Sequence, residues 1–149
     1  MSKTEMRRAL AHHMAPVARN WRLLADATLA EFGVSNSAGW CLIHIDRMDG
    51  DIRQAALAES LDISQPSLVR TLDQLQGAGL LTREPDPDDK RSNHIVLTTE
   101  GRDLVGRIEA KLGALRDELL EGVPDEAVEI AVNLMQLLGG RIAERRSAP

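Results

Sequence analysis

A chain of 149 residues suits one ordinary domain, long enough to bury roughly 68–70% of its unfolded surface without disulfide or metal staples. With 43% hydrophobic, 28% charged and only 2% aromatic residues, it is globular in composition, and a core of Leu, Ile, Val and Ala favours helix on helix over a β-sandwich. The net charge of −5 weighs mildly against a polyanionic partner, but the first 22 residues carry +4 and the remainder −9, so distribution matters more than the sum.

From Thr4 to Phe32, Leu10, Met14, Val17, Trp21 and Leu24 recur in steps of three and four, one face of a long helix that Gly33 ends. Ser35 caps a second helix holding Trp40, Ile43 and Ile45, which closes around Asp49-Gly50. A short third helix covers Ala55 to Leu61. Asp62-Ile63-Ser64 makes a turn, and Ser64 caps a fourth helix, with Gln65 and Pro66 in its first turn, running to Gln76. Leu80 to Glu84 and His94 to Leu97 read as two short strands around a polar, proline-rich loop, Pro85 to Asn93. Thr98 caps a fifth helix with Leu104, Ile108, Leu112, Leu115 and Leu119 on one face. Val123-Pro124 breaks it, and a sixth helix bearing Ile130, Leu134, Leu137 and Ile142 frays into Arg145-Arg146.

Two helices joined by a short turn and followed by a hairpin make a winged helix-turn-helix, so the expected fold is mainly α with a small β-hairpin wing. Residues 35–98 form its DNA-binding region. Residues 1–34 and 99–149 form a helical dimerisation region, because their apolar faces exceed what the middle segment can cover. The fourth helix tests the reading. At about 100° per residue, Leu68, Leu72 and Leu75 share one face, with Arg70 opposite and Ser67 and Gln74 beside it. Such a helix packs by its leucines and offers Ser, Arg and Gln to a groove. Arg pairs bidentately with guanine and Gln with adenine. Its first-turn amides, with Ser64 and Ser67, suit a phosphate. Lys90 and Arg91 place cations on the hairpin loop within reach of a minor groove, and Asp89 can hold an arginine in position there.

The run Gln65-Pro66-Ser67-Leu68-Val69-Arg70-Thr71-Leu72-Asp73-Gln74-Leu75, with Gly79-Leu80-Leu81, Asp89-Lys90-Arg91 and Leu97-Thr98, resembles the MarR family, and its SlyA-like branch most. The resemblance covers Trp21 to Arg141. It implies a homodimeric regulator, by expectation a repressor, with Ser67 and Arg70 in the major groove, Arg91 in the minor-groove wing, and Ser64, Gln65, Pro66, Thr71, Gln74, Asp89 and Lys90 completing the interface. Two positions depart from the pattern. Lys90 stands in place of a second arginine, a point charge instead of a planar fork. Arg53 stands where a hydroxyl normally caps the third helix.

The same resemblance implies an effector site for a small aromatic carboxylate. Arg19 and Arg22, three apart on the first helix, and Trp40 and His44, four apart on the second, match the residue types of the SlyA-like aromatic-acid site. Each has a plainer reading, as a core indole, surface cations or a satisfied histidine. Cys41, the only cysteine, excludes an internal disulfide and reads as a small buried apolar residue, and His12-His13 as an exposed pair. No phosphate loop, nucleophile elbow or metal-ligand spacing is present, so neither an enzyme, a metal site nor a cofactor is expected. No secretory leader or membrane span is read, so a cytoplasmic protein is expected. The competing reading is a winged helix that binds only protein, which would carry apolar residues at Ser67, Arg70 and Gln74.

Overall fold

The computed structural model describes residues 1–49, 52–88 and 93–148. Its elements follow the expected order: α1 (Lys3–Ala30), α2 (Asn36–Met48), α3 (Gln54–Leu61), α4 (Gln65–Gly77), β1 (Leu81–Pro85), β2 (Asn93–Leu97), α5 (Thr99–Leu119) and α6 (Asp125–Ser147). The fold is mainly helical with a two-stranded antiparallel hairpin, as a winged helix requires.

Helix starts are set by side chains next to them. Ser2 and Glu5 form a reciprocal capping box at α1. The Ser35 hydroxyl accepts the Ala38 N–H at 3.2 Å, and Thr98 accepts the Gly101 N–H at 3.0 Å. Pro16 lies inside α1, where it donates no helical hydrogen bond. Gly33, at φ +70°, supplies the left-handed turn after α1.

Two compact units divide the chain, Met1–Ala114 and Leu115–Pro149. The first holds α1 to α4, the hairpin and most of α5. Its core joins Leu29 of α1, Leu42, Ile43 and Ile45 of α2, Leu57 of α3, Leu68, Leu72 and Leu75 of α4, Leu81 and Ile95 of the hairpin, and Ile108 of α5. Burying each of these aliphatic chains stabilises the fold by about 1.5–3 kcal/mol. A carbon added at Gly101 would lie 1.9 Å from the Leu80 carbonyl oxygen, so the start of α5 touches backbone beside β1. The Thr98 hydroxyl secures this junction by donating to the Gly79 carbonyl at 2.7 Å.

In the hairpin Leu81 pairs with Leu97 and Glu84 with His94. A third piece was not expected. Arg53 makes an isolated antiparallel bridge to His94, and the Ile95 N–H donates to the Ile52 carbonyl at 3.2 Å. The hairpin is thereby stitched to the body just before α3. In the second unit α6 has no buried residue, and Ile130, Leu137 and Ile142 are exposed. It stays helical through Arg145 and Arg146 to Ser147 instead of fraying there.

Candidate nucleic-acid interface and adjoining cavity

Helix α4 is oriented by its leucines. Leu68, Leu72 and Leu75 are fully buried, which turns Arg70 and Gln74 to the surface. Ser67 is half-buried beside them. Gln65 and Pro66 lie exposed in the first turn. The Ser64 hydroxyl accepts the Ser67 N–H at 3.3 Å and donates to the Ser67 hydroxyl at 2.9 Å. Pro66 has no N–H, so Gln65 supplies the first-turn amide that the cap does not take. Thr71 differs from the other expected groove residues. It is 8% exposed, and its hydroxyl donates to the Ser67 carbonyl at 3.3 Å.

The hairpin is fixed to the body on two sides. On one, the Arg83 guanidinium of β1 donates to Gln76 at 2.8 Å and pairs with Asp73, both on α4. On the other, Asp86 just beyond β1 is 5% exposed, the only buried acid among the described residues. One of its oxygens accepts from Arg53 at 3.2 Å and lies 3.1 Å from His94 Nε2. The other accepts the Asp88 N–H at 2.9 Å. The Asp88 N–H holds this carboxyl below its usual range against the opposing effect of burial, with His94 and Arg53 adding to the lowering. Arg53 thus gives α3 no side-chain cap because its guanidinium is turned to the hairpin. Asp89, Lys90 and Arg91, the expected wing-tip residues, lie outside the described residues.

A cavity of 510 Å³ opens beside α4, lined by Arg22 and Asp26 of α1, Trp40 of α2, Leu61 and Ile63 around the turn, and Ser67, Arg70 and Thr71 of α4. Arg22 and Trp40 meet there, with the guanidinium 3.8 Å from the indole centroid. Asp26 was not expected. Its carboxylate accepts from the indole N–H at 2.7 Å and pairs with Arg22 at 3.3 Å. Arg22 is therefore partly neutralised, and one face of Trp40 is covered. Arg19 and His44 are not among the lining residues. His44 Nδ1 lies 2.8 Å from the Ser60 hydroxyl, and burial, then Arg47 and Arg22, push its pKa down. Burial pushes the Cys41 thiol up to about 12, which leaves it protonated and unreactive. Among the described residues no three His, Cys, Asp or Glu side chains are grouped to hold a metal ion, and no helix is long and apolar enough to cross a membrane.

Residues 32–92, which span α2, the helix-turn-helix and the first strand, match the MarR family. The winged helix is similar to that family's. The solved transcriptional regulator PA3341 is 29% identical to this chain, with a TM-score of 0.81 over 91% of this chain and 98% of its own. Two further solved structures share the fold. CouR from Rhodococcus jostii RHA1, bound to p-coumaroyl-CoA, is 21% identical with a TM-score of 0.73 over 87% of this chain and 90% of its own. A point mutant of S. aureus MepR, bound to an oligodeoxyribonucleotide, is 22% identical with a TM-score of 0.59 over 94% of this chain and 98% of its own.

Proposed function

We propose that this MarR-type chain is a cytoplasmic transcriptional repressor of the SlyA-like branch, which binds a palindromic operator as a homodimer and is released by a small aromatic carboxylate. One observation carries the DNA-binding reading: α4 buries three leucines and turns Arg70 and Gln74 outward beside Ser67. A protein-binding winged helix would expose apolar residues there. The DNA-bound MepR fold supports the same assignment. Ser64, Gln65 and Pro66 place the first turn of α4 against the backbone, and Lys90 and Arg91, positioned by Asp89, serve the wing. The exposed Val17, Trp21 and Leu24 of α1 and Ile130, Leu137 and Ile142 of α6 are surfaces for a second copy. An electrophoretic shift with the DNA flanking its own gene tests the reading. A protein that leaves this DNA unshifted at low salt is not this regulator.

The cavity supports the effector half. Its 510 Å³ fits a small ligand, and its lining combines Arg22 and Trp40 with the groove residues Ser67 and Arg70. The p-coumaroyl-CoA held by the CouR fold is an aromatic acyl compound of related character. With Asp26 committed to Arg22, the cation offered to a carboxylate is Arg70, and an acid that engages it competes with DNA for the same guanidinium. Arg19 and His44 then flank the site without touching its occupant. Calorimetric titration with salicylate separates the versions. Loss of binding in Arg70→Ala but not in Arg19→Ala supports the cavity as drawn, and the reverse pattern returns the site to Arg19.

A further inference from the structure

A hairpin of two five-residue strands is marginal alone, so its direction is set by what grips its root. The Arg83 contacts run from β1 to α4 and grip one side. The other side depends on a buried carboxylate. A carboxylate removed from water is destabilising unless donors replace its hydration. Asp86 has two hydrogen-bond donors, Arg53 ahead of α3 and the Asp88 amide in its own loop, with His94 Nε2 of β2 3.1 Å away. The anchor among them is Arg53, which belongs to the body and not to the hairpin. It stands at the N-cap of α3 without capping it, where a Ser or Thr hydroxyl would accept a first-turn N–H. Lys90 and Arg91 follow Asp86 by four and five residues in the sequence.

We propose that Asp86 is a positioning residue for the wing, and that its pairing with Arg53 fixes the angle from which the basic tip meets DNA. This rests on the DNA-binding reading above. Asp86 itself touches no base or phosphate; it acts through Lys90 and Arg91. Its loss therefore removes the contribution of the wing and leaves that of α4.

The test uses the full-length protein on a duplex of the DNA flanking its gene, with wild type, Arg53→Ala, Asp86→Asn and the double variant. Binding is read by titration at fixed salt, hydroxyl-radical footprinting reads the minor groove, and dimethyl sulfate protection of guanine N7 reads the major groove. Each single variant should weaken binding roughly tenfold, and the double no further, because both remove one contact. Minor-groove protection beside the half-sites should fade while guanine protection persists. Wild-type affinity in both singles, additive losses, or equal fading of both protections would each overturn the proposal. Arg53 is a half-exposed side chain, so Arg53→Ala carries the test if Asp86→Asn does not fold. Wild type leaving the duplex unprotected would instead sink the regulator reading, and the wing inference with it.

Discussion

Arg70 and His44 illustrate how single side chains are assigned their work by their surroundings. Arg70 is exposed because its helix is pinned by leucines, and it lines the cavity that Trp40 and Arg22 share. Arg70→Ala should remove one bidentate base contact per subunit, about 1–3 kcal/mol each, and so weaken operator binding between ~30-fold and more than 10⁴-fold. Unchanged affinity at equal salt would show that α4 does not read bases. His44 reports on pH. Its pKa is lowered mainly by burial, so below the ordinary imidazole range the unfolded chain takes up a proton more readily than the folded one. Its contribution is complete above that range and is lost as pH falls toward the depressed value. Between about pH 7 and pH 5 the Tm of wild type should therefore fall more steeply than that of His44→Gln. Parallel curves would remove His44 from the acid side of the stability profile. Among these residues the sequence was uneven as a guide. The Arg22–Asp26 step of four is local and could have been read from spacing, but the indole N–H that also claims Asp26 comes from 14 residues away. Nothing in a one-dimensional pattern marks that meeting.

Elements were legible wherever their determinants are local. Ser35, Ser64 and Thr98 sit next to the helices they cap, and Leu68, Leu72 and Leu75 declare a buried face by period alone. The bridge that Arg53 makes to His94 was not legible, since a single bridged residue cannot display a period of two. Asp86 was missed for a different reason: it lies in a proline-rich acidic run that reads as solvated loop, and only the fold brings Arg53 over it. The start of α5 offers an element-scale test. Gly101 leaves no space for a further carbon against the Leu80 carbonyl. Gly101→Ala must push α5 off the hairpin, which should cost about 1–3 kcal/mol of stability and weaken operator binding, while Gly106→Ala, in open space on the same helix, should do neither. Chemical denaturation of the two variants decides the matter, and equal stability would show that α5 yields at its first turn.

At the scale of the molecule the open question is what covers the apolar side chains left on α1 and α6. Ile130 is 62% exposed, Val17 56% and Ile142 55%, values that a lone chain in water does not favour. A symmetric dimer would cover them with the same surfaces of a second copy and present two α4 helices to half-sites ~34–36 Å apart. Light scattering should give twice the 16.3 kDa chain mass at micromolar concentration. A monomer would leave both the palindrome and the dimer without a basis.

Pro16 adds a consequence in the time domain. With no N–H of its own it interrupts the ladder of α1 at its middle, and none of residues 3–15 is buried. The amides before it have only local helix to shield them, whereas those near Ala25 and Leu29 are anchored in the core. Deuterium uptake along α1 should consequently split at Pro16, rapid on the amino-terminal side and slow on the other. The rapid half is also where a partner would leave its mark: if a second copy packs there, exchange should quicken on dilution, and the slow half should not notice.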